Sequence, residues 1–258
     1  SNNGGAYWTI GHGLSQAPEL IIVKKRNGAG GWYVGSDSLG STPWVSGSHL
    51  VLSATAANAN NANILWGNTA PSSTVFKVGG WDVINRSGDT YISYCFHSVT
   101  GYSKFGSYSG TGSSGNAITT GFAPAFVMIK STTVSTAGWV LYDNTRNSFN
   151  PVTSRLMADS SNAESESTVL EFNSTGFNIL ATGTGMNGSG EDYIYAAFAD
   201  TREYAYWLDQ SGNNNDWTSE GGLTESDVMV DSPTNNFATL NPLDVTNGTL
   251  QEGNTEFI

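Results

Sequence analysis

Two stretches decide how this chain is read: Ala17-Pro18-Glu19-Leu20-Ile21-Ile22-Val23-Lys24 and Ala123-Pro124-Ala125-Phe126-Val127-Met128-Ile129-Lys130. Each is a short apolar run opened by a proline, closed by a lysine and rich in branched side chains. Runs of that length and make-up read as buried strands, because a helix needs a longer stripe of 3.6-residue period. The likeness continues downstream in a fixed order. Gly31-Trp32 is answered by Gly138-Trp139, and Leu52, Ala54, Asn58 and Ala59 by Leu156, Ala158, Asn162 and Ala163. Val75-Phe76-Lys77-Val78 is answered by Gly176-Phe177-Asn178-Ile179. Asn85-Arg86-Ser87-Gly88-Asp89 matches Asn187-Gly188-Ser189-Gly190-Glu191, and Phe96 and Phe198 close the two series. The offset stays between 101 and 107 positions, which marks a duplication. Solenoid repeats run to about 20–50 residues, so this period suits one sandwich per copy. The sequence therefore predicts an all-β chain with two tandem homologous β-sandwich units of jelly-roll or lectin-like type. Their bounds are 1–98 and 99–200, followed by an extended acidic segment or the start of a further module, 201–258.

Strand signals inside each unit agree. Thr90-Tyr91-Ile92-Ser93-Tyr94-Cys95-Phe96 and Tyr193-Ile194-Tyr195-Ala196-Ala197-Phe198 alternate, as a strand with two different faces does. The Asn/Gly-type step before each is a turn feeding that strand. Leu50 to Ala62 has a weak helical case, undercut by its asparagines. Gly, Ser, Thr and Asn make up 115 of the 258 residues, a composition of turns and short strands. A hydrophobic content of 38%, with 12% aromatic, is enough to build cores.

Charge and composition also exclude. No run of about 18 apolar residues occurs, so no membrane insertion is expected. The net charge of −12 argues against nucleic acid, whose phosphates need clustered Lys and Arg. The single cysteine, Cys95, rules out a disulfide framework. The start at Ser1-Asn2-Asn3-Gly4-Gly5 reads as internal or processed. Segment 201–258 holds ten acidic residues and one basic residue, Arg202, and its Asp231-Ser232-Pro233 and Asn241-Pro242 steps interrupt regular structure.

Several segments resemble a module of tailed-bacteriophage virion proteins of the marine-phage type. They are Asp89 to Phe96, Gly101 to Tyr108, Thr120 to Val127, Tyr142 to Asn147, and Asp231 to Pro242. The resemblance covers most of the chain, and its motifs are structural. It implies a β-sandwich virion component, most often in tail-fibre or receptor-binding chains, followed in many cases by a lectin-like domain. Separately, Asp209-Gln210-Ser211-Gly212-Asn213-Asn214-Asn215-Asp216-Trp217 is similar to the loop that opens many laminin-G-like and concanavalin-like sandwiches. Asp209, Asn213 and Asp216 are thus candidate oxygen ligands for calcium, although calcium wants six to eight oxygens, some from distant residues, and a metal-free Asx-rich turn is the favoured reading.

Trp44, Trp66, Trp81, Trp207 and Trp217 have no counterpart in the other copy, which makes them the candidate ligand-binding aromatics. A sugar binder presents such rings beside Asn and Asp, and the competing assignment is core or subunit contact. Catalytic residues are not expected. His12, His49 and His97 are scattered, and Glu164-Ser165-Glu166 reads as a solvated loop rather than a glycosidase pair flanking a bond. The expected function is structural and adhesive: a tail fibre or spike attaching a virion to the host surface, without turnover. Its expected location is the virion surface. Its partners would be other virion proteins, further copies of itself (a trimer by analogy with fibres) and a host cell-surface glycan. The alternatives are a capsid decoration or head-fibre protein and a secreted carbohydrate-binding module. A depolymerase is disfavoured by the lack of β-helix repeats and of a carboxylate cluster.

Overall fold

The computed structural model describes residues 7–60, 65–147 and 149–199. By contact the chain divides into a unit of residues 1–200 and one of 201–258, and the second lies outside the described residues. Within the first, the strands are β1 (Trp8–Gly11), β2 (Leu20–Lys25), β3 (Trp32–Ser36), β4 (Ser48–Val51), β5 (Ala59–Asn60), β6 (Val75–Val78) and β7 (Tyr91–Phe96). They continue as β8 (Ser103–Ser109), β9 (Asn116–Thr119), β10 (Pro124–Ser131), β11 (Val140–Asp143), β12 (Val152–Met157), β13 (Ser165–Asn173), β14 (Gly176–Ile179) and β15 (Asp192–Ala199). Two one-turn helices, α1 (Pro43–Ser46) and α2 (Asp82–Asn85), interrupt the first half. The chain is all-β in character. Leu50 to Ala62 is not helical, since its described part holds the end of β4, a turn and β5.

The sheets reproduce one pairing scheme twice. In the first half the order is β5-β4-β3-β2-β7, with β1 paired to β6; in the second it is β8-β15-β10-β11-β12-β13-β14-β9. Register agrees residue for residue. Leu20 faces Phe96 and Ile22 faces Tyr94, as Phe126 faces Phe198 and Met128 faces Ala196. Ile10 faces Phe76 as Ile118 faces Phe177. At one block the hydrogen bonds correct the sequence alignment. The amide of Leu52 donates to Trp32 O and that of Ala158 to Trp139 O, so Leu52 corresponds to Ala158 rather than to Leu156. The shift is two residues, which leaves each side chain on its original face.

Three apolar clusters explain why β2 over Leu20–Val23 and β15 over Tyr193–Ala199 are apolar on both faces. Ile21 and Val23 point from β2 into a first cluster with Phe76, Val78, Trp44, Leu65, Trp66 and Ile84. Tyr193, Tyr195 and Ala197 point from β15 into a second with Val127, Ile129, Phe177 and Ile179. The opposite faces meet in the third: Leu20, Ile22, Val34 and Leu50 pack on Phe105, Trp139, Ile194 and Ala196. This seam joins the two repeats face to face. Polar bonds fasten it to the end of β4 and the segment after it: Trp139 Nε1 donates to Val51 O at 3.0 Å, Lys130 Nζ to Thr55 O at 3.0 Å, and Asn58 N to Thr132 O at 2.8 Å.

Candidate functional site

One end of the seam opens. Beyond the apolar contact a cleft of about 890 Å³ separates the Asp37–Gly40 loop and Ala57–Asn58 of the first repeat from Ser107–Ser109, Thr132–Thr133 and Asp192 of the second. Its place follows from the pleat. Ser107 pairs with Ile194 in register, so β8 carries Phe105 into the seam and Ser107 onto the same face further along. The apolar seam thus runs out into hydroxyls without a break in the sheet.

The walls are held by their own bonds. Ser109 Oγ donates to Asp192 Oδ1 at 2.7 Å, and Thr132 Oγ1 donates to Asp192 O at 3.1 Å. Asn58 Oδ1 accepts from His49 N at 3.1 Å. The Trp44 indole N–H donates to Asp37 Oδ1. Burial pushes the Asp37 carboxyl above its ordinary range, the Trp44 bond opposes this, and the Glu19 carboxylate adds to the rise. Tyr108 stacks on Tyr193 with centroids 4.9 Å apart, and its hydroxyl donates to Met186 O at 2.7 Å. The result is a pre-formed trough of hydroxyls, an amide and two carboxylates. Its volume falls within the range of about 300–1,000 Å³ usual for small-ligand sites, but its lining is polar where theirs is mostly apolar. Chemically it suits a polyhydroxylated ligand.

Three of the five tryptophans expected from sequence, Trp44, Trp66 and Trp81, lie elsewhere. Trp44 and Trp66 are 4% and 1% exposed, edge to face at 5.3 Å in the first cluster, so neither ring offers a face to a ligand. Trp66 Nε1 donates to Ser48 O at 2.9 Å. A Cβ on Gly35 would stand 2.6 Å from both rings, so the strand beneath them has room for glycine only. Trp81 is half-buried against Tyr33 at 5.5 Å and His49 at 5.7 Å. Trp207, Trp217 and the calcium candidates Asp209, Asn213 and Asp216 lie outside the described residues. Among the described residues no group of three or more His, Cys, Asp or Glu is placed to hold a metal ion.

Glu164 and Glu166 do not form a loop pair. Ser165 and Glu166 begin β13. Glu164 is bound by Arg146, which also holds Asp143 at 2.6 Å, and Glu166 accepts from Thr153 and from Ser154. Cys95 sits half-buried beside the first cluster, and burial raises its thiol. Sequence reasoning missed Asp37, Ser107, Thr132 and Asp192 because they come from separate segments, and only Ser107 falls in a quoted segment, Gly101 to Tyr108, whose resemblance is structural. Asn58 alone carried a signal, as a member of a repeated block.

A family model described as a domain of unknown function (DUF7483) matches residues 1–202. No curated protein and no solved structure matches the chain.

Proposed function

From a chain that belongs to the DUF7483 family of domains of unknown function, we propose a structural and adhesive role without turnover. The protein is a component of a tailed-phage virion, carried on a tail fibre or spike, that binds glycan on a host cell surface. Its body is two tandem homologous sandwich units, and other virion proteins and copies of itself are its neighbours. The virion assignment rests on the sequence resemblance. The adhesive assignment rests on one observation, the polar cleft at the seam, whose hydroxyl, amide and carboxylate groups are already fixed by internal bonds. Groups held in this way need little reordering when a ligand replaces water, which favours binding over a flexible surface of the same composition.

The test is binding of labelled 1–258 to candidate host bacteria, with soluble host polysaccharide as competitor and with and without a calcium chelator. Saturable binding lost in Asp192→Ala but retained in Trp66→Phe is the expected result. Loss on chelation assigns calcium to the adhesive function through Asp209, Asn213 and Asp216. Absence of binding to every susceptible strain overturns the adhesive reading and favours capsid decoration.

A further inference from the structure

The cleft at the seam has a sign as well as a shape. Among the described residues its lining holds two carboxylates, Asp37 from the loop after β3 and Asp192 at the start of β15, and no lysine, arginine or histidine. Elsewhere in the described residues the chain matches acids with cations, Asp89 with Lys25, and Asp143 and Glu164 with Arg146, but neither cleft carboxylate takes part in such a pair. Lys130, two residues before Thr132 in the cleft wall, is fully buried, and its Nζ donates to Thr55 O and Ser131 O. A third acid, Glu191, accepts from Thr133 Oγ1 and brings its charge to the same wall.

Both lining acids are held in place. Asp37 N donates to Glu19 O at 3.0 Å, Ser38 N to Ser36 Oγ at 3.2 Å and Leu39 N to Ser36 O at 3.2 Å, while the Leu39 side chain is buried in the seam. Oδ1 of Asp37 accepts from the indole of Trp44, whose ring is itself packed edge to face on Trp66. Asp192 N donates to Thr133 Oγ1 at 3.2 Å, its O accepts from Thr132 N at 2.8 Å, and its Oδ1 holds Ser109.

We propose that the cleft selects an amino sugar, a glycan residue with a free protonated amine, received by Asp37 and Asp192 while the hydroxyls and the Asn58 amide take its neutral groups. The ammonium supplies the cation that the lining lacks, and a charge-assisted N–H···O bond is about twice as strong as a neutral one. Burial and the Glu19 carboxylate both work against the charge on Asp37, and a bound ammonium offsets them. A uronate, sulfate or phosphate would bring a like charge up to unmatched carboxylates, so the groups that accept an amine also reject an acidic glycan. Trp44, expected from sequence to meet a ligand, acts at one remove as a positioning residue for Asp37. The inference rests on the adhesive reading of the cleft and names its ligand class.

Titration calorimetry on full-length 1–258, at mildly acidic pH and about 0.15 M salt, compares three probes of equal length: glucosamine oligomers, their N-acetylated counterparts and oligogalacturonate. The amine should bind about tenfold more tightly than the N-acetyl form, and the uronate most weakly. Asp37→Asn/Asp192→Asn should bring the amine to N-acetyl ratio close to one. Trp44→Phe should lower that ratio while N-acetyl affinity is kept, a split that a general loss of structure does not produce. Glu171→Gln, which removes a carboxylate outside the cleft, should leave the ratio unchanged, and melting temperatures confirm that each variant is folded. An amine preference that survives the Asp37/Asp192 pair is attraction to the acidic chain at large and overturns the proposal. Equal or tighter binding of the N-acetyl or uronate probe overturns it as well, and leaves glycan binding standing. Failure of all three probes also overturns it, whereas the adhesive reading falls only if host cells are not bound either.

Discussion

In the first repeat Trp32 lies half-buried at the margin of the seam, stacked on Tyr94, with Lys24 Nζ 5.9 Å from its ring centroid. In the second repeat its equivalent, Trp139, is 1% exposed within the seam and bonded to the other repeat through Val51 O. The lysines on the paired strands diverge in the same way. Lys24 and Lys130 each donate to the carbonyl of the next residue, at 2.8 Å, yet Lys24 is half-buried and Lys130 fully buried. Asn85 makes one side-chain bond, to Gly79 O. Asn187, fully buried, binds Thr111 N, Asn116 Nδ2, Ser113 O and Ala181 O, each at 2.8 Å. One pairing scheme therefore supports two environments, and the second repeat carries the more enclosed version at each of these three positions. The shared pairing scheme sets the backbone, and packing between the two halves gives equivalent residues different duties.

Substitution of equivalent pairs measures that difference. The largest effect is expected at the tryptophans. Trp139→Ala empties a buried seam and should cost about 3–5 kcal/mol, whereas Trp32→Ala should cost closer to 1 kcal/mol because solvent already reaches the ring. Urea unfolding of both variants decides, and equal losses would break the comparison.

The lysines come next. Burial lowers Lys130 to about 8 from the ordinary lysine value of 10.5, opposed by the Asp159 carboxylate. Below pH 8 both folded and unfolded chains carry the proton. Between about 8 and 10.5 the unfolded chain binds more protons, so stability should rise with pH, by up to about 3 kcal/mol. Above pH 10 the tyrosines reverse the trend. Burial holds Tyr142 up to about 12 and raises Tyr193 and Tyr195, so their contribution is lost as pH climbs through those raised values. Lys130→Met should abolish the rise between pH 8 and 10, and Lys24→Met should retain it. A rise that survives Lys130→Met would assign the pH response to another group.

The asparagines give the smallest contrast. Asn187→Ala strands the amide of Thr111 and two carbonyls, at a cost of about 2–3 kcal/mol, against about 1 kcal/mol for Asn85→Ala. A Cβ on Gly110 would stand 2.1 Å from Gly188 O, so the chain there is already pressed against the Asn187 turn. Chemical denaturation of the two alanine variants measures both costs.

How far this architecture could be read from sequence depended on locality. β2, β10, β7 and β15 were legible because burial on two faces, or two distinct faces, leaves a local signature. β1 and β9 were not, since Trp8–Gly11 and Asn116–Thr119 are four residues each and share only an isoleucine. The role of β8 was equally hidden, because it has no counterpart among the described strands of the first repeat. Trp44 and Trp66 misled for a physical reason: a residue without a repeat partner can fill a core volume that the other copy fills differently. The first cluster uses two tryptophans, while the second has Tyr142, Tyr193 and Phe177 among its largest members. Apart from the repeated block that holds Asn58, the cleft left no local signal of its own, because Asp37, Asn58, Ser107, Thr132 and Asp192 meet only after both repeats have folded and joined.

The seam also has a consequence in time. Among the described residues, every strand pairing of the first repeat closes within residues 8–96, so those ladders can form early in synthesis. The face bearing Leu20, Ile22, Val34 and Leu50, however, is covered by Ile194 and Ala196, which follow about 100 residues later. At about 5–20 residues per second, the ribosome leaves that greasy face bare for roughly 5–20 s. A nascent chain of this protein is therefore a natural client for holding chaperones during that interval, and slow codons between the repeats would lengthen its exposure.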